Sequence, residues 1–72
     1  MRAFITTYKP GRYGETAKPN VMIKEMGEYA EFLLRAGAPR YGYNAVQDNR
    51  SGIVYLISDN PKLNAFEISF KD

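Results

Sequence analysis

Two short segments of the chain, Pro10-Gly11-Arg12-Tyr13-Gly14 and Pro39-Arg40-Tyr41-Gly42-Tyr43, each set an arginine beside a tyrosine and follow it with glycine. Arginine and tyrosine combine large contact area with directional hydrogen bonds, the combination that dominates binding hot spots. Arg50 and Tyr55 add the same pair of chemistries farther along. A second grouping is Glu28 and Phe32 with Val21 and Glu25. On a helix these would form an apolar centre with an acidic rim, which suits a small protein-binding patch. The chemistry these residues offer is contact. Their repeated frame does not mark a duplication, because a linker and helix pattern follow the first copy and a hairpin pattern follows the second; Pro and Gly punctuate turns generally.

Catalytic chemistry finds little material. The chain holds no cysteine and no histidine. Thiolate metal cages, disulfides and the commonest general base near neutral pH are therefore unavailable. Ser51, Ser58 and Ser69 sit in no nucleophile motif, and Gly11-Arg-Tyr-Gly14 lacks the spacing and the Lys-Ser/Thr ending of a phosphate loop. The carboxylate pairs Glu25 with Glu28 and Asp48 with Asp59 read as solvated surface acids. The expectation is a protein that is not an enzyme and carries no cofactor and no metal.

Elements that would position the contact residues can be read from periodicity. Residues 2–8, rich in β-branched and aromatic types, predict a strand ending at Lys9-Pro10-Gly11. Residues 9–19 read as an irregular loop or a short hairpin, turning at Pro10-Gly11 so that 12–16 pair back on the first strand. Asn20 is the expected N-cap of a helix that runs to Gly37. Its apolar arc would be Met22, Ile23, Met26, Tyr29, Ala30, Leu33 and Leu34, with Phe32 off that arc and resting on the 9–20 loop. Gly27 in a helix predicts close approach of another backbone, and Glu31 with Arg35 predicts an i,i+4 ion pair. Residues 41–47, 53–58 and 65–70 predict three more strands, the last alternating Phe66, Ile68 and Phe70 against Glu67 and Ser69. The expected fold is α+β: a single 1–72 domain of β-α-β-β-β order, with an antiparallel sheet of three to four strands and one helix packed across one face.

In that fold Tyr41 and Tyr43 point the same way from one strand, so the uncovered sheet face would present tyrosines flanked by Arg12, Arg40 and Arg50. The 72 residues lie near the lower limit for a self-sufficient core, and self-association into a homodimer is one remedy. Net charge is only +2, but its distribution is uneven. Residues 1–24 carry five basic side chains and one acid, and 25–34 carry three acids with no base. Patches of opposite sign suit a protein partner. No apolar run has the length of a signal peptide core or a membrane span, so a cytoplasmic protein without membrane contact is expected. The resulting expectation is a protein-binding inhibitor or adaptor acting on a larger complex, by analogy with the compact accessory proteins of phages and mobile elements. The alternative is a single-stranded nucleic-acid binder that stacks bases on Tyr41 and Tyr43 beside Arg12, Lys18 and Arg40.

Overall fold

The computed structural model describes residues 2–12 and 15–71, with backbone alone for 16–20. Among these residues there are five strands and one helix: β1 (Arg2–Tyr8), β2 (Thr16–Ile23), α1 (Met26–Ala36), β3 (Tyr43–Gln47), β4 (Val54–Ser58) and β5 (Ala65–Lys71). All strand pairs are antiparallel, in the order β2-β1-β5-β4-β3. The fold is α+β, as expected, but the sheet gains a fifth strand and the chain order becomes β-β-α-β-β-β. The first and last strands are neighbours, with Arg2 opposite Lys71 and Tyr8 opposite Ala65. The centre of the sheet thus depends on pairing β1 with β5, the kind of non-local contact that slows folding.

The added strand takes residues 16–19 of the segment expected as an irregular loop or short hairpin, and the first turn of the expected helix. The Arg12 N–H donates to the Lys9 carbonyl at 3.0 Å across Pro10-Gly11, and Gly11 has φ +71°. Pro at the second and Gly at the third position, with positive φ at the latter, make this a type II turn. It returns the chain along β1, where Val21 pairs with Ile5 and Ile23 with Ala3. Pro19 cannot donate to a ladder, yet it fits here because β2 is an edge strand and the register slips between Ile5 and Thr7. Val21 and Ile23 are β-branched and gain more by lying beside β1 than by starting a helix. The helix therefore starts later. Glu25 is its N-cap, in an extended conformation with no side-chain cap.

Losing residues 21–25 rotates the buried helix face by roughly 70° relative to the expected arc. Tyr29, Phe32, Leu33 and Ala36 now face the core, at the i, i+3, i+4, i+7 spacing of one stripe. Leu34 is 77% exposed and Met26 is 41% exposed. Phe32 rests on the sheet: its ring meets that of Phe66 edge-on, with centroids 5.5 Å apart. Tyr29 makes the same contact with Phe70 at 5.3 Å. Beneath them Ala3, Ile5, Leu56 and Ile68 form the buried layer. Among the described residues nothing lies within 4 Å of where a Gly27 Cβ would stand, so the expected close backbone approach is not found there.

The helix covers one face only. On the other, strand alternation and register place Phe4 and Tyr8 of β1, Met22 of β2, Val46 of β3 and Tyr55 and Ile57 of β4. Val46 is 57% and Ile57 46% exposed. Among the described residues, no helix is long and apolar enough to cross a membrane.

Candidate functional site

The contact residues singled out from the sequence do not share one sheet face. The chain leaves α1 through a turn in which the Tyr41 N–H donates to the Ala38 carbonyl at 2.9 Å, with Pro39 fixing the second position. Gly42 then takes φ +63°, a left-handed conformation that only glycine adopts cheaply. Strand alternation begins only after it. Tyr41 therefore belongs to the turn, its carbonyl accepting a bond from the Ser58 hydroxyl. Tyr43 is the first residue of β3 and faces the helix side.

Both tyrosines nevertheless meet at one place. A cleft of about 400 Å³ opens beside the C-terminal half of α1, with Tyr41, Tyr43, Phe66 and Phe32 as its aromatic lining. Leu63 and Asn64 close it from the β4–β5 connection, and Arg35 and Ala36 from the helix. The Tyr43 hydroxyl donates to the Asn64 carbonyl at 2.6 Å, which holds its ring at 5.4 Å from that of Phe66. Burial raises the Tyr43 phenol above its ordinary value, so the group is a neutral hydrogen-bond donor at physiological pH. The Arg40 guanidinium lies 4.9 Å over the ring of Tyr41, one of the lining residues, a cation–π contact.

The electrostatics of the cleft are one-sided. Among the described residues no carboxylate lines it. Arg35 forms no ion pair among the described residues, and the expected bridge from Glu31 is absent; the pair found is Arg12 with Glu15, at 3.3 Å and exposed. The cleft thus offers an aromatic floor and the Arg35 guanidinium, with Arg40 stacked on Tyr41, and no carboxylate among the described residues.

The other expected residues lie elsewhere. Glu28 stands on the same helix as Phe32 and lines a neighbouring groove described below. Tyr55 is on the opposite sheet face, 37% exposed, with Tyr8 nearby. The Tyr8 hydroxyl donates to Glu67 at 2.5 Å, and that bond, with burial and the negative charge of Glu67, holds the phenol above its ordinary value. Arg12 and Arg50 occupy the β1–β2 and β3–β4 turns, at opposite ends of the sheet. The Arg50 turn is pinned by Asp48, which accepts from the Ser51 hydroxyl at 2.7 Å and the Arg50 N–H at 3.1 Å. Those bonds, Ser51 first, lower the Asp48 carboxyl below its ordinary range. Tyr13 lies outside the described residues, and so does the Lys18 side chain.

Arg35, Leu63, Asn64 and Phe66 had not been singled out as contact residues. Arg35 looked like an ion-pair partner and Phe66 like plain core. A detectable signal was the glycine between Tyr41 and Tyr43, which breaks alternation and lets two neighbouring tyrosines converge. Among the described residues no cluster of His, Cys, Asp and Glu is placed to hold a metal ion. No protein-family model, curated protein or solved structure matches the chain.

Proposed function

We propose that this is a small non-enzymatic protein that binds a protein partner through the cleft between the end of α1 and β3, as a stoichiometric inhibitor or adaptor. The observation that carries this reading is the cleft itself: four aromatic rings with Arg35 unpaired and Arg40 stacked on Tyr41. Such a site takes an anchoring side chain of a partner, with its rings as the desolvated centre and the two arginines as hydrogen-bonding rim. It has no nucleophile beside a base, so recognition is the chemistry its side chains support. The test is capture from a lysate of the protein's natural source, with nuclease-treated and untreated arms, comparing wild type with Tyr41→Ala and Arg40→Glu. The reading expects a protein band that survives nuclease, is lost with Tyr41→Ala and is weakened with Arg40→Glu. A band unchanged in both variants would move the interaction off this cleft.

A second reading has its own observation. The uncovered sheet face carries Phe4, Tyr8 and Tyr55, with Lys71 lying 5.5 Å over the Phe4 ring and Arg2 opposite it in register. Stacking platforms of this sort bind single-stranded nucleic acid. Glu67 sits among those rings and opposes a phosphate backbone, which ranks this reading second. Its signature is affinity that falls steeply with salt.

A further inference from the structure

The cleft does not end at Phe32. A second groove of about 510 Å³ runs along the same flank of α1 toward β2, sharing Phe32, Arg35 and Phe66 with the first. The shared lining makes the two adjoin, a trench in two parts that meet at Phe32, Arg35 and Phe66. Its far end is walled by Val21 and Ile23 of β2 and by Glu28 and Glu31 of the helix. Val21 is 54% exposed, so the apolar wall there is uncovered. Neither glutamate has an ion-pair partner among the described residues, although Glu31 stands one helical turn from Arg35. The trench is thus acidic where it meets β2, aromatic in the middle and basic at Arg40.

Resting on the protein-binding reading, we infer that the trench takes an extended segment of a partner protein with segregated charge. A basic side chain lies toward Glu28 and Glu31, an aromatic or large aliphatic one over Phe32 and Phe66, and an acidic one toward Arg35 and Arg40. Charge complementarity selects this occupant: a uniformly acidic segment meets the two glutamates, and a uniformly basic one meets the two arginines. Length follows from the sheet. Neighbouring strands lie about 4.8 Å apart, so the distance from β2 to β3 across five strands is roughly 19 Å, or about six extended residues at roughly 3.3 Å each.

The experiment is a selection of random seven-residue peptides displayed on phage against the immobilised full chain, followed by fluorescence anisotropy of the enriched peptides. The inference expects peptides with a basic residue at one end, an apolar centre and an acidic residue at the other. Each of Glu28→Lys and Arg40→Glu should weaken their binding by about three- to fivefold, the scale of one partly exposed charge pair. Tyr41→Ala should weaken them as well. Enriched peptides that lose binding with Tyr41→Ala but show no charge segregation would overturn this inference and leave the protein-binding cleft standing. Failure to enrich any peptide, or binding indifferent to Tyr41→Ala, would overturn both. Glu28 and Arg40 are exposed, so these variants leave the core untouched; circular dichroism of each confirms the fold before binding is compared.

Discussion

Phe32 and Leu34 are two positions apart on α1, yet the fold gives them opposite environments. A sequence arc that starts at Met22 puts Leu34 inside and Phe32 outside; a helix that starts at Met26 reverses this. Truncation to alanine separates the two. A fully buried Phe→Ala costs about 3–5 kcal/mol. Phe32 is half-buried, so roughly half of that applies, and losing the edge-on contact with Phe66 adds about 0.5–1.5 kcal/mol. Phe32→Ala should therefore cost about 2–4 kcal/mol. Leu34, at 77% exposure, should change stability by no more than about 0.5 kcal/mol. Total stability for a chain of 72 residues is about 4–11 kcal/mol, so the first variant removes a sizeable share and the second almost none. Urea unfolding followed by far-ultraviolet circular dichroism resolves the difference as a lower midpoint at constant slope. Adding Phe66→Leu and the double variant gives a coupling energy, expected near about 1 kcal/mol. Equal costs at the two positions, or a larger cost at Leu34, would refute the assignment of the helix face and with it the floor of the cleft.

Other consequences follow from backbone and titration chemistry. Gly52 has φ +75° with open space around an added Cβ, so Gly52→Ala should destabilise by about 1–2 kcal/mol through backbone strain alone. Gly27→Ala, in ordinary helix with equal room, should instead raise the urea midpoint, by up to about 1 kcal/mol. Tyr8, Tyr29 and Tyr43 are all raised above 10.0 in the fold, Tyr8 by its bond to Glu67 and the other two by burial. A raised folded value means full stability below the unfolded value and loss as pH climbs through the folded one. The melting temperature should hold up to about pH 10 and fall above it, less steeply in Tyr8→Phe; a flat profile would contradict these environments. Tyr43→Phe should cost about 1 kcal/mol by leaving the Asn64 carbonyl without its donor, read by the same urea assay.

Much of the fold was legible because local signals agreed with one another. Lys9-Pro10-Gly11 announced a turn and proved to be one, the alternation of 65–70 announced a strand with Phe66, Ile68 and Phe70 inward, and Gly37-Ala38-Pro39 ended the helix. β2 was hidden by two conflicting signals. Pro19 argues against a strand, and Met22, Met26, Tyr29 and Leu33 imitate a continuing helical stripe. Only pairing with β1, a tertiary gain, decides between them. The error then spread: a helix begun too early rotates its apparent core face and puts Phe32 outside. The cleft was partly legible, since Tyr41, Tyr43 and Phe32 were all flagged as contact residues. Their convergence was not, because it needs Gly42 in a left-handed conformation and a wall from residues 63 and 64, over twenty positions away.

The proposed function requires that the cleft at Tyr41, and not the uncovered sheet face at Tyr55, meet a protein. Site-specific incorporation of a photo-crosslinking benzoylphenylalanine at position 41 or 55, in cells of the natural source, addresses both surfaces in one experiment. Both tyrosines are 37% exposed, so accessibility does not bias the comparison. One discrete protein adduct is expected from position 41, reduced by Arg40→Glu, and none from position 55. Adducts from position 55 alone, or nucleic acid as the captured species, would contradict it.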